Sequence, residues 1–164
     1  MRPVRRVAEH CREKPVMISP IEAGDFDKLS SVIAVAVRES VADNEDDARF
    51  LIEDIVLSLK KWQTSDSESF HGKYVVDGAV VGFVIVKEYW NLSHLFVLPG
   101  HQGHGIGRHL LREAVNACRD KSPRGKIQLN SSINAAGFYA ALGFTQTGPG
   151  IERPGGCIPY ECGF

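Results

Sequence analysis

Leu92-Ser93-His94-Leu95-Phe96-Val97-Leu98-Pro99-Gly100-His101-Gln102-Gly103-His104-Gly105-Ile106-Gly107-Arg108 is the stretch on which the fold turns. Its first seven residues read as a strand, and Pro99-Gly100 stops it. Ile106, Leu110, Leu111, Ala114, Val115 and Cys118 then recur at helical spacing, with Arg108, Arg112 and Arg119 off that apolar face. Between strand and helix, glycines stand at 103, 105 and 107. Glycines at alternate positions clear side chains from a loop, so successive N–H groups can converge on an anion, helped by the positive end of the helix dipole. A phosphate or pyrophosphate is the expected ligand. A dinucleotide fingerprint counted from Gly103 fails at Arg108, where the third glycine should stand. A P-loop needs a lysine after its glycines, and none occurs between Lys87 and Lys121.

The flanking sequence alternates strands and helices. Residues 16–20 read as a short strand ended by Pro20, and Asp25 reads as the N-cap of a helix over 26–42 that carries Phe26, Leu29, Ile33, Val37 and Val41. Asp43 to Asp47 reads as an acidic turn before a second amphipathic helix, which carries Phe50 to Leu59 and ends near Lys61. Lys73–Val76 and Ala79–Tyr89 form a hairpin across Asp77-Gly78. Lys126–Leu129 is a strand, Ala135–Leu142 a short helix ending at Gly143, and two closing strands fall near Phe144–Thr147 and Ile158–Glu161. The order β-α-α-β-β-β-α-β-α-β-β predicts an α/β (α+β) domain, a central mixed β-sheet flanked by about four helices.

Composition bounds the function. With 164 residues the chain suits one domain large enough to fold without disulfide or metal staples. Lysine plus arginine number 19 against 20 acidic residues, a balance that excludes a nucleic-acid binder by whole-surface charge. A hydrophobic content of 43% excludes disorder as the main character. No apolar run is long enough to span a membrane. The basic segment 1–15 has no apolar stretch of the secretory kind, so it reads as a flexible extension, with 16–164 as a single domain in the cytoplasm. Cys11, Cys118, Cys157 and Cys162 lack zinc spacing and read as free thiols. His101, His104 and His109 do not share one helical face, so no metal is expected.

Two motifs carry a family resemblance. Gln102-x-x-Gly105-x-Gly107, preceded by Leu95-Phe96-Val97-x-Pro99, resembles the coenzyme A motif of the GNAT N-acetyltransferase superfamily. Asn134-Ala135-Ala136-Gly137-Phe138-Tyr139, followed by Ala140-Ala141-Leu142-Gly143-Phe144, resembles its second motif, in the manner of small bacterial-type members. The resemblance covers residues 16–164. It implies a GNAT-like fold and transfer of an acetyl group from acetyl-CoA to a primary amine, by direct attack in a ternary complex. The partners implied are acetyl-CoA and an amine acceptor, with no nucleic acid, no membrane, and a homodimer as one assembly. The alternative is a catalytically inactive acyl-CoA-binding module on the same fold.

The resemblance also places residues. Coenzyme contacts fall on Leu95, Phe96, Val97, Gln102, Gly103, His104, Gly105, Ile106, Gly107, Arg108, Asn130, Asn134, Phe138 and Tyr139. Tyr139 stands where the family holds a hydrogen-bond donor for the departing thiolate. A backbone N–H near Phe96 or Val97 is expected to stabilise the oxyanion. Where many members carry a strand glutamate as base, this chain has Asn91, and where many carry an asparagine seven residues before the tyrosine it has Ser132. His94 is a candidate base by its chemistry, although regular alternation puts it on the face opposite Asn91. Glu88 and Tyr89, or water alone, are the other candidates. Glu161 reads as a rim residue and Cys118 as core.

Overall fold

A computed structural model describes residues 17–164. The expected extension 1–15 and the start of the first strand lie outside the described residues.

The chain runs β1 (Met17–Ser19), α1 (Phe26–Ser40), α2 (Glu45–Gln63), β2 (Ser69–Val76), β3 (Ala79–Lys87) and β4 (Asn91–Val97). It continues through α3 (Ile106–Cys118), β5 (Lys126–Ser131), α4 (Ala136–Ala141), β6 (Thr145–Gln146) and β7 (Ile158–Gly163). This is the element order read from the sequence. The strands form one seven-stranded sheet in the order β1-β2-β3-β4-β5-β7-β6. Among the described residues only β4 and β5 pair in parallel.

Both faces of the sheet are covered. Val81, Val84, Val86 and Leu92 pack with Leu110, Leu111 and Ala114 of α3 and with Tyr139 of α4. Phe83 and Ile85 pack on the other face with Leu29, Ile33 and Val37 of α1 and Leu51 and Leu59 of α2. From Phe83 to Val86 the alternation along β3 therefore supplies one residue in turn to each of two cores, while Val81 sits at a register shift against β2.

Three local expectations are corrected. Asp43–Asp47 is not a separate turn, because α2 already begins at Glu45. Asn44 caps it by accepting from Asp47 N at 2.9 Å, and Glu45, Asp46 and Asp47 favour the positive helix end. Asp25 holds the N-cap position of α1 as expected, but its side chain makes no capping bond to the helix. Its carboxylate accepts from Glu22 N at 2.8 Å and from Lys73 Nζ at 2.6 Å, which ties the start of α1 to β2. Burial alone would raise its pKa. The bonds from Lys73 and Glu22 outweigh that and hold it below the usual carboxylate range. The strand expected over 79–89 ends at Lys87, since Glu88 and Tyr89 turn the chain at φ of 52° and 60°.

Candidate active site

The site begins with an irregularity in β4. Opposite β3, Val84 pairs with Leu95 and Ile85 with His94, but Val86 pairs with Leu92. One extra residue, Ser93, is thus accommodated between Leu92 and His94 as a bulge. The bulge breaks the alternation expected from the sequence. Leu92 faces the α3 core with Leu95, whereas His94 faces α2 with Phe96. Asn91, paired with Lys87, falls on the same face as His94. The parity that set His94 against the position of Asn91 does not hold in the fold.

β4 then leaves β5. Their ladder holds a single pair, Asn91 with Gln128, where Gln128 N donates to Trp90 O at 2.7 Å. Beyond it the strands diverge, and a cavity of about 730 Å³ opens between them. A volume of that order suits a small-molecule site. One wall is Leu92, Ser93, Leu95, Phe96 and Val97; the other is Asn130, Ser131, Ser132 and the α4 residues Phe138 and Tyr139.

The open edge of β4 carries usable donors. Leu98 N donates to Val81 O at 2.8 Å, so alternation points the N–H groups of Phe96 and His94 toward β3 as well. Those of Leu95 and Val97 point the other way, into the gap. Of the two positions expected to supply an oxyanion donor, Phe96 is therefore committed to the ladder and Val97 is free of it.

At the C-terminal end of β4 the glycine loop closes the cavity. Gly103 and Gly105 stand at φ of 79° and 82°, a region that L side chains rarely adopt. The first α3 amide with an intrahelical partner is His109 N, donating to Gly105 O at 3.0 Å. None of the amides from Gly103 to Arg108 has a partner within the described residues. Gln102 differs from expectation, because its own amide already donates to Pro99 O. Its side chain instead reaches back to Val97 O at 3.0 Å, bracing the loop against β4. A row of unpartnered N–H groups at a helix start suits the phosphate groups of coenzyme A.

Tyr139 is 6% exposed and lines the cavity. Its ring is held edge-on by Phe138 and Phe144 and tilted against Tyr160. Among the described residues its hydroxyl has no hydrogen-bond partner. Burial pushes its pKa well above the ordinary phenol value, so it stays a protonated donor. Asn130 and Asn134 also line the cavity, and Asn134 Nδ2 donates to Ser40 O at 2.9 Å, fastening the start of α4 to the end of α1. Ser132 accepts from Ala135 N at 3.3 Å, and so starts the turn into α4.

The candidate bases fare differently. Glu88 lies in the turn after β3, accepts from Trp90 Nε1 at 3.0 Å, and borders a separate shallow pocket with Glu68, Tyr89 and Lys121. The tight turn carries both Glu88 and Tyr89 away from the site. Asn91 is absent from the cavity wall because it holds the junction with β5. His94 is 1% exposed, and burial pushes its pKa from 6.5 down to about 4. It reaches the cavity only through Ser93 Oγ, 2.8 Å from its Nδ1. Glu161 is bound by Lys126 at 2.9 Å and does not line the cavity, so it is not the rim residue expected, whereas Cys118 is fully buried in the core.

Sequence reasoning missed one wall. Arg153 to Cys157 line the cavity beside Ser40, Val41, Leu51, Asp54 and Ile55 of the helical side, with Gly155 packed close to Val41 and Leu51. Ile133 N donates to Gly155 O at 2.9 Å, and Arg153 lies 3.8 Å from Asp54. The adjacent glycines at 155 and 156, both at positive φ, were the available signal.

Comparison with known proteins agrees with this geometry. The model of the acetyltransferase (GNAT) domain matches residues 37–161, and the chain belongs to that family. A streptothricin acetyltransferase from Streptomyces lavendulae is 35% identical over 80 residues, 44% of this chain and 42% of that protein. The chain thus matches less than half the length of that curated relative. A GCN5-related N-acetyltransferase from Rhodopseudomonas palustris superposes with a TM-score of 0.78 at 15% identity, over 91% of this chain and 96% of that one. The PaiA N-acetyltransferase from Thermoplasma acidophilum, solved with coenzyme A, superposes at 0.70 with 19% identity, over 92% and 99%. These likenesses establish the fold. The mixed sheet with four helices is a GNAT fold. Among the described residues no helix is long and apolar enough to cross a membrane.

Proposed function

We propose that this chain transfers the acetyl group of acetyl-CoA to a primary amine, by direct attack in a ternary complex. The observation that carries the reading is one continuous cavity. It runs from the unpartnered loop amides, through the gap between β4 and β5, to the helical wall of α1 and α2.

In this reading the amides of Gly103 to Arg108 bind the pyrophosphate, with the Arg108 side chain beside them. The pantetheine arm lies in the gap against Leu95, Phe96 and Val97, bordered by Asn130, Asn134 and Phe138. Of the two β4 N–H groups that face the gap, that of Leu95, two residues from Ser93, polarises the thioester carbonyl and stabilises its oxyanion, while that of Val97 lies farther along the pantetheine arm. The amine approaches between the helical wall and residues 153–157. Its nitrogen attacks the carbonyl carbon, the C–S bond breaks, and Tyr139 donates a hydrogen bond to the departing thiolate. The amine proton leaves through water, since His94 is a weak base and Glu88 borders another pocket.

The test is thiol release from acetyl-CoA with a panel of primary amines: alkyl amines, polyamines, lysine peptides and aminoglycosides. Release that depends on one amine class supports transfer. Tight coenzyme binding with no amine-dependent release identifies a binding module.

A further inference from the structure

We infer that Ser93 is the residue that receives the acceptor amine, as a hydrogen-bond acceptor only, and that His94 is a positioning residue that makes it so. The inference rests on the transfer reading above and names a further residue for that reaction.

His94 sits between α2 and the sheet, with Phe83 and Phe96 beside it and the charge of Lys87 acting on it. Its Nε2 lies 3.4 Å from Ile55 O, a carbonyl that can only accept. The proton of the neutral ring therefore belongs on Nε2, and Nδ1 is a bare lone pair. That lone pair is 2.8 Å from Ser93 Oγ, so the serine must donate to it. The other acceptor near Oγ is Ile85 O at the longer distance of 3.5 Å.

The consequence falls on the serine. Its single O–H is committed to His94, and only lone pairs remain for a molecule in the cavity, whose wall Ser93 forms. A free hydroxyl could donate to the lone pair of an incoming amine and so blunt the nucleophile. A committed hydroxyl can only take one of its N–H groups. The nitrogen lone pair is then left for the thioester carbon. Ser93 requires no proton transfer to do this. The bulge is what makes the arrangement possible, since Ser93 reaches the cavity while its neighbour His94 lies in the helical core.

The experiment combines kinetics with imidazole ¹⁵N NMR on the full-length protein. In the wild type, His94 should show a bare Nδ1 and a protonated Nε2 at neutral pH, assigned by the signal lost in His94→Phe. The opposite tautomer overturns the inference. Ser93→Ala should lower kcat/KM for the amine about tenfold, the size of one hydrogen bond, with acetyl-CoA affinity unchanged. Ser93→Thr, which keeps the hydroxyl, should restore most of it. Ser93→Ala combined with His94→Phe should be no slower than Ser93→Ala alone, because His94 acts through Ser93. Losses that multiply, or a Ser93→Ala enzyme as fast as wild type, overturn the inference while transfer stands. If His94→Phe does not fold, His94→Gln serves for assignment and the two Ser93 variants decide the kinetics. Wild-type protein that acetylates none of the amines overturns the transfer reading and this inference with it.

Discussion

Gln102 Nε2 donates to Val97 O at 3.0 Å, so the first residue of the glycine loop is pinned to the strand that borders the gap between β4 and β5. The bond uses a carbonyl that β5 leaves unpaired. Gln102→Ala should free the loop and weaken coenzyme A binding about fivefold, near the ~1 kcal/mol of one hydrogen bond. Isothermal titration of coenzyme A checks it; unchanged affinity would mean the loop holds its shape unaided.

The loop glycines should separate on substitution. Gly105 stands at φ of 82° with open space where a Cβ would go, so Gly105→Ala should cost about 1 kcal/mol of stability through backbone strain alone. A Cβ at Gly107 would meet Phe138 Cζ at 3.5 Å, an ordinary contact, so Gly107→Ala should leave the melting temperature nearly unchanged. The bulkier Gly107→Val should still weaken coenzyme A binding by about tenfold or more, ~1.4 kcal/mol. Melting curves paired with titrations separate the two effects.

Tyr139→Phe removes the donor and keeps the ring among Phe138, Phe144 and Tyr160. Coenzyme affinity should hold, while kcat and kcat/KM fall together by about 10²-fold, as expected for a positioned acid. Because burial raises the phenol pKa, wild-type activity should show no loss from Tyr139 ionisation up to about pH 10. A Tyr139→Phe enzyme with full kcat under chemistry-limited turnover would make the ring a packing residue only.

His94 should make the fold acid-sensitive. Its pKa falls from 6.5 to about 4 on folding, so on acidification the unfolded chain binds the proton first. Stability present above pH 6.5 is lost as pH falls toward 4, by about 3 kcal/mol in all. Urea unfolding at neutral pH and near pH 4.5 should therefore show His94→Phe gaining on wild type at the acid end. A pH-independent difference would refute the burial of a neutral imidazole.

Lys73 and Asp25 form a buried pair whose side chains are 12% and 5% exposed. Asp25→Asn leaves the ammonium without its counter-charge, and should destabilise the protein by about 3 kcal/mol. Replacing both by Met and Leu should cost less than the single change, which denaturant melts of the two variants will show.

Much of this was legible in the chain. Helical and strand periodicities gave every element in order, since each amphipathic pattern matches a face that packs on the sheet. The glycine loop was legible because its spacing reflects local geometry, whereas Tyr139 was singled out by the resemblance of its motif to the family's. What the sequence hid was non-local. The bulge at Ser93 is set by the register of β3 against β4, and nothing in Leu92-Ser93-His94 marks it, so regular alternation put Leu92 and His94 on one face. Asp25 looked like a capping side chain because its partner Lys73 is distant in the chain. Glu88 lay next to the central strand in sequence, yet a turn at positive φ carried it off. Residues 153–157 join the cavity through a fold-back onto Ile133 and Asp54 that no periodicity encodes.

The divergence of β4 from β5 leaves the sheet as two antiparallel groups, β1 to β4 and β5 to β7 with β6, whose ladders meet at one residue pair. Such a seam limits how far unfolding of one group must drag the other, so amide exchange should resolve two blocks of protection that open with different free energies. A pantetheine arm laid along Leu95 and Val97 would occupy the missing rungs and act as a spacer strand. The coenzyme would then do more than supply an acyl group: its arrival would couple the two blocks and raise the cooperativity of the whole domain.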